Sequence, residues 1–159
     1  SRGLGDVYKR QFIERSNNTA LILNTKYYRI LLRKTVLVSK IDYNRWEILL
    51  RSLSAWRSFN WLSGEYLDPA AITNFLIFDE RMPRSLSFCN REILSNLAYL
   101  QQTYEKKYQS FNIAKNTQKS LTSGIIRTAH NKKLYTFIKE YTQKNEKLHS
   151  TITKEFNLV

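Results

Sequence analysis

One cysteine, two prolines and four glycines are all that this 159-residue chain holds of the residues that staple, stiffen or punctuate a backbone. The lone Cys89 excludes an internal disulfide, and with it the disulfide-built secreted scaffold; the reducing cytoplasm is the expected compartment. So little Gly and Pro excludes a collagen-like repeat or a flexible low-complexity linker. No apolar run approaches the ~20 residues that span a bilayer, so no membrane segment is expected. No charged stretch followed by an apolar one opens the chain, so no secretory leader is read there. Acid is also scarce: 13 Asp and Glu face 26 Lys and Arg, a formal charge of +13. What is plentiful is apolar (42%) and aromatic (13%) side chain, too much for a disordered polar tail. The length fits one domain, which at this size buries roughly 68–70% of its unfolded surface.

Ser1 to Gln11, SRGLGDVYKRQ, holds two of the four glycines and shows no helical periodicity. These letters match one reading frame of a transposon adapter used to prepare sequencing libraries. Residues 1–11 are therefore read as an adapter-derived artefact and set apart from fold reasoning. The natural protein is then expected to continue upstream of Phe12, and residues 12–159 remain strongly basic.

From Phe12 onward the pattern is helical. Phe12 to about Lys34 contains neither Gly nor Pro, with Phe12, Leu23, Tyr27 and Ile30 recurring near one face. Thr35 to Asp42 is short and β-branched, and reads as a connection. Tyr43 to about Ser63 is a second helix on the spacing of Trp46, Leu49, Leu53 and Trp56, with Gly64 placed to stop it. Asp68-Pro69 opens a third through Asp79, burying Ile72, Phe75 and Leu76. Pro83 begins the next element. There Cys89, Ile93, Leu97, Leu100, Tyr104, Tyr108 and Phe111 step by three or four, a stripe of about six turns. A weaker helix covers Ala114 to His130. A last one, Lys132 to Phe156, carries Leu134, Ile138, Tyr141, Leu148 and Ile152. The expectation is an all-α bundle of about five to six helices.

Several kinds of chemistry find no residues to carry them. His130 and His149 are nineteen apart with no Cys or His at ligand spacing, so no metal centre is expected. Cys89 sits in the apolar stripe with no His at a spacing that suggests pairing, which reads as a buried small hydrophobe. No glycine-rich phosphate loop is present, and no cofactor is expected. Residues 104–159 hold eleven Lys or Arg against four Glu. A basic nucleic-acid binder is an alternative on that ground. The charges are mostly Lys scattered over several helices, however, so a solvated surface is the reading preferred.

Two polar groups stand out. The first is Glu14-Arg15 with Asn17, Asn18 and Asn24 on the opening helix. Its plain reading is a network that fixes helix packing, and its functional reading a polar site at a bundle interface. The second is Pro83-Arg84-Ser85 at a helix start, where a guanidinium, a hydroxyl and free N–H groups suit a carboxylate or phosphate. Its plain reading is ordinary capping with an Arg–carboxylate pair. Glu14, Arg15, Asn18, Arg84 and Ser85 are the candidate site.

On these residues the sequence resembles the alpha-E domain family, a helical domain of unknown biochemical activity named for its Glu-Arg motif. Ile13-Glu14-Arg15, Asn18-Thr19-Ala20 and Ile22-Leu23 follow the family's opening. Residues 50–55, then Met82-Pro83-Arg84-Ser85-Leu86 and Cys89, follow its middle; Leu134, Phe137, Ile138 and Glu155-Phe156 follow its last helix. The resemblance implies a protein of two related helical halves, of which this chain is the second, with its first half as an intramolecular partner. Asn17, Leu21 and Asn24 stand where the family usually has charged side chains, so an ionic site here keeps only Glu14 and Arg15. Proteins of this kind are typically encoded beside, or fused to, ATP-grasp ligase-like and transglutaminase-like proteins. A non-catalytic accessory or interaction domain of a peptide-modification system is the function implied. The alternative is an enzyme whose active site, with Glu14, Arg15 and Arg84, lies between the two halves.

Overall fold

The computed structural model describes residues 2–27, 40–63, 69–123 and 131–156. Among them there is no strand. Helix α1 spans Arg2–Ile22 and runs on into a π-helical turn, Leu23–Tyr27. Then come α2 (Lys40–Ser52) and a short α3 (Trp56–Ser58) continued by a second π-helical turn, Phe59–Ser63. Helices α4 (Pro69–Phe78), α5 (Leu86–Tyr104), α6 (Gln109–Thr122) and α7 (Asn131–Glu155) complete the chain. The all-α bundle expected from the apolar spacing is what forms. The expectations for Ile30, residues 35–39, Gly64, Asp68 and residues 124–130 lie outside the described residues.

Four boundaries differ from expectation. Helix α1 begins at Arg2, so residues 2–11 continue it despite their lack of periodicity. Once a helix is nucleated, each further residue joins at little cost. The second helix is cut after Ser52, where Ser54 takes a left-handed φ of 54°. There Ala55 N–H donates to Leu50 O and Ser54 N–H to Arg51 O, a Schellman stop built without glycine. The six-turn stripe is also two helices. Glu105 has φ 51°, and its own N–H and that of Lys106 both reach Gln101 O, ending α5. Pro83 does not start α5 either: it lies in the preceding turn, and Ser85 is the N-cap.

Helices α1, α5, α6 and α7 form a closed four-helix ring, each packed on the next and α7 back on α1. The apolar faces predicted for α4 and α7 are buried throughout, and so are Phe12, Trp46, Leu49, Leu53, Ile93 and Leu97. Tyr104, expected on the stripe, is exposed because α5 ends there. Two apolar clusters result. One gathers Phe12, Ile13, Ile93, Leu97, Leu148, Ile152 and Phe156. The other joins Ala20, Leu23, Phe137 and Ile138 to Trp46, Phe59, Phe75 and their neighbours on α2 to α4. At the first cluster's end, α6 starts with no side-chain cap of its own. The Glu155 carboxylate supplies one from α7, accepting from Gln109 N–H at 2.7 Å and Ser110 N–H at 3.0 Å.

Candidate functional site

The turn from Asp79 to Ser85, between α4 and α5, is where the predicted polar residues meet. A turn leaves carbonyls without ladder partners, and buried ones must find donors. Here side chains of α1 and α5 supply them. Arg15 Nη1 donates to Pro83 O at 3.4 Å, and the Thr19 hydroxyl reaches Arg84 O at 2.8 Å and Arg15 O at 3.2 Å. The Cys89 thiol points at Pro83 O, 3.4 Å away. Ser85 Oγ donates to Asp79 O at 2.6 Å and accepts from Phe88 N–H at 3.0 Å, which caps α5. Arg91 extends to the carbonyl and carboxylate of Glu80.

The two predicted groups are therefore adjacent, but their members do different work. Ser85 is fully buried and acts as a cap. Arg15 is half-buried, bonded to the turn, with its guanidinium 4.9 Å from the Phe12 ring centroid. Glu14 and Asn18 point to solvent. Arg84 is tied down by its carbonyl, and among the described residues its guanidinium makes no ion pair. The Arg–carboxylate pair expected at this helix start belongs instead to Arg81, whose side chain grips both oxygens of Asp79 and also Leu62 O. That side-chain bond holds the Asp79 carboxyl below its ordinary range, against the opposing effect of burial. Sequence reading also passed over a second Glu-Arg step, Glu80-Arg81, on this same turn.

Behind the turn a polar layer crosses the ring. Asn145 Nδ2 donates to Ser16 Oγ at 2.8 Å and to Asn17 Oδ1 at 3.0 Å, joining α7 to α1. Asn90 Nδ2 donates to Ala114 O and Gln118 Oε1, joining α5 to α6. The Tyr141 hydroxyl, fully buried, makes no hydrogen bond among the described residues. Burial drives that phenol above its usual range; Ser16 and Asn145 pull it back, and Cys89 adds to the rise. The amide network expected of Asn17 is thus present. Asn18 takes no part in it, and Asn24 is left with a buried unbonded oxygen. Asn145 was not foreseen, although a lone Asn between Tyr141 and Leu148 on an apolar stripe is the signal that marks it.

Burial pushes the Cys89 thiol up to about 12, although Arg15 and Arg84 favour the thiolate; Glu92 opposes it. A group so protonated is no nucleophile at neutral pH. An unfolded thiol ionises near pH 8.5, so above that the unfolded chain loses a proton that the fold keeps. Stability should therefore fall as pH rises from about 8.5, by up to about 1.4 kcal/mol per unit from this group. Urea midpoints from pH 7 to 10 should show the slope, and Cys89→Ala should flatten it. An unchanged slope in the variant would remove Cys89 as its source.

Among the described residues no three His, Cys, Asp or Glu gather as metal ligands, and no helix is long and apolar enough to cross a membrane. No curated protein and no solved structure matches the chain. One family model does, described as a predicted alpha-helical domain with a conserved ER motif, over residues 11–156. That span contains Glu14-Arg15, the turn that Arg15 holds, and the ring from Gln11 of α1 through α5, α6 and α7, and on it the chain belongs to the alpha-E family.

Proposed function

We propose that this chain is a non-catalytic helical accessory domain that docks an ATP-grasp ligase-like or transglutaminase-like protein through the face bearing Arg15 and Arg84. The observation that carries the reading is the division of labour at the turn. Arg15, Thr19, Ser85 and Cys89 spend their polar groups on backbone carbonyls. In Pro83-Arg84-Ser85, Arg84 offers a cation whose backbone is held and which has no ion-pair partner among the described residues. A guanidinium pre-positioned by its own backbone suits an anionic group on a partner, such as a peptide carboxylate or an acidic side chain. The buried, protonated thiol supplies no reactive group beside it.

The test uses the full chain with an ATP-grasp or transglutaminase-like protein encoded beside its gene. Arg84→Ala should weaken binding about tenfold or more, the loss expected when a central arginine anchor is truncated. Far-ultraviolet dichroism should stay unchanged, because the Arg84 backbone carbonyl that holds the turn to Thr19 is kept in the variant. Binding equal to the parent would sink this docking face. Should Glu14→Gln abolish a measured turnover of the complex instead, the alternative of an active site shared between two helical halves replaces it.

A further inference from the structure

The π-helical turn after α3 carries a second surface, remote in sequence from Arg84. Trp56 and Trp61 are five residues apart, off the three-and-four rhythm that buries Trp46, Leu49 and Leu53. Trp61 is accordingly 87% exposed. Its base is firm. Phe59 is fully buried, edge-on to Phe75 at 5.3 Å. Asn60 Nδ2 donates to Trp56 O at 2.8 Å, and Arg81 reaches Leu62 O. The same turn opens a groove of about 670 Å³, whose described lining residues are Trp56, Arg57, Ser58, Asn60, Trp61 and Leu62.

We propose that this groove docks a short acidic, apolar peptide segment of a partner protein. Three features select that occupant. Tryptophan and arginine are the residues that dominate protein-binding energetics, whereas lysine is depleted there, and the described lining residues include two Trp, one Arg and no Lys. Among the described residues the lining has no carboxylate and Arg57 makes no ion pair, so an acidic segment finds an uncompensated cation there. A second copy of this chain would bring another +13, which opposes self-pairing. A nucleic-acid strand would stack on Trp61 but, among the described residues, would find only Arg57 in the lining and Arg51 against Trp56, too few cations for its phosphates. The π-helical backbone is itself a common mark of functional positions.

The probe is a synthetic peptide of about twelve residues alternating Asp or Glu with Leu and Phe. A Lys-substituted isomer and an oligo-dT of similar length are tested in parallel. Added to the full chain, the acidic peptide should shift tryptophan emission to the blue and saturate. Trp61→Ala should abolish the shift and weaken calorimetric binding about tenfold or more, and Arg57→Glu should weaken it comparably. Both side chains are solvent-facing, so the melting temperature should not move. Arg84→Ala should leave this binding intact, which separates it from the docking face above. Equal binding of the Lys isomer, tighter binding of oligo-dT, full binding by Trp61→Ala, or no saturable binding would each overturn the proposal. So would Trp61-dependent self-association in sedimentation.

Discussion

Phe59→Ala is expected to cost about 3–5 kcal/mol of stability, the range for truncating a fully buried aromatic ring. Phe59 is sealed from solvent in the cluster that includes Trp46, Leu50, Phe75 and Met82. Its N–H bonds Ala55 O at 2.8 Å, fixing the point where α3 passes into the π-helical turn. Alanine keeps that bond and removes the ring, so the loss reports packing alone. Urea unfolding followed by dichroism measures it. A loss below about 1 kcal/mol would mean that this end of the protein is loosely packed. Trp61→Ala, two residues away on the same turn, should stay within about 0.5 kcal/mol of the parent, as exposed positions do.

Asn145→Ala is expected to cost about 1–3 kcal/mol, because it removes two hydrogen bonds, one to the buried Ser16 hydroxyl and one to the half-buried Asn17 amide. Asn145 is 1% exposed, and its amide satisfies Ser16 Oγ and Asn17 Oδ1 across the α1–α7 boundary. Ser16→Ala alone should cost less, since Asn145 retains Asn17. The double variant should cost less than the sum, with a coupling of at least about 0.5 kcal/mol. Strict additivity in the same urea measurement would show that the layer is two independent contacts. Replacing Asn145 by Leu and Ser16 by Ala together distinguishes stability from specificity. An apolar layer of similar volume can be as stable while relaxing the register of α1 on α7.

The helical class and most buried faces were legible because apolar spacing of three and four reports burial directly. Leu134, Ile138, Tyr141, Leu148 and Ile152 all lie inside for that reason. The breaks were not legible. Ser54 and Glu105 take left-handed φ values that glycine would announce, and neither is glycine. A stripe running on from Leu100 through Tyr108 to Phe111 then looks continuous although two helices share it. At the site, the letters placed Glu14-Arg15 and Pro83-Arg84-Ser85 together through a resemblance, and the geometry makes them neighbours. Which member turns inward was beyond the letters. Arg15 and Thr19 are bonded to main-chain carbonyls, and a carbonyl has no letter. Trp61 is hidden for the opposite reason: five residues from Trp56, it lies off the rhythm that marks a buried face.

Glu155 sets an order on the life of this protein. The start of α6 depends on a carboxylate forty-six positions later, and Tyr108 stacks on Phe156 with ring centroids 4.6 Å apart. Until residue 155 has left the ribosome, that end of the ring has neither its cap nor its aromatic seal. Helices α1 and α5 are synthesised long before and can associate early, yet the four-helix ring closes only after the last turn emerges. Closure of the ring thus waits on the emergence of residue 155, and a translation arrest within α7 would leave a chain whose apolar interior is still open.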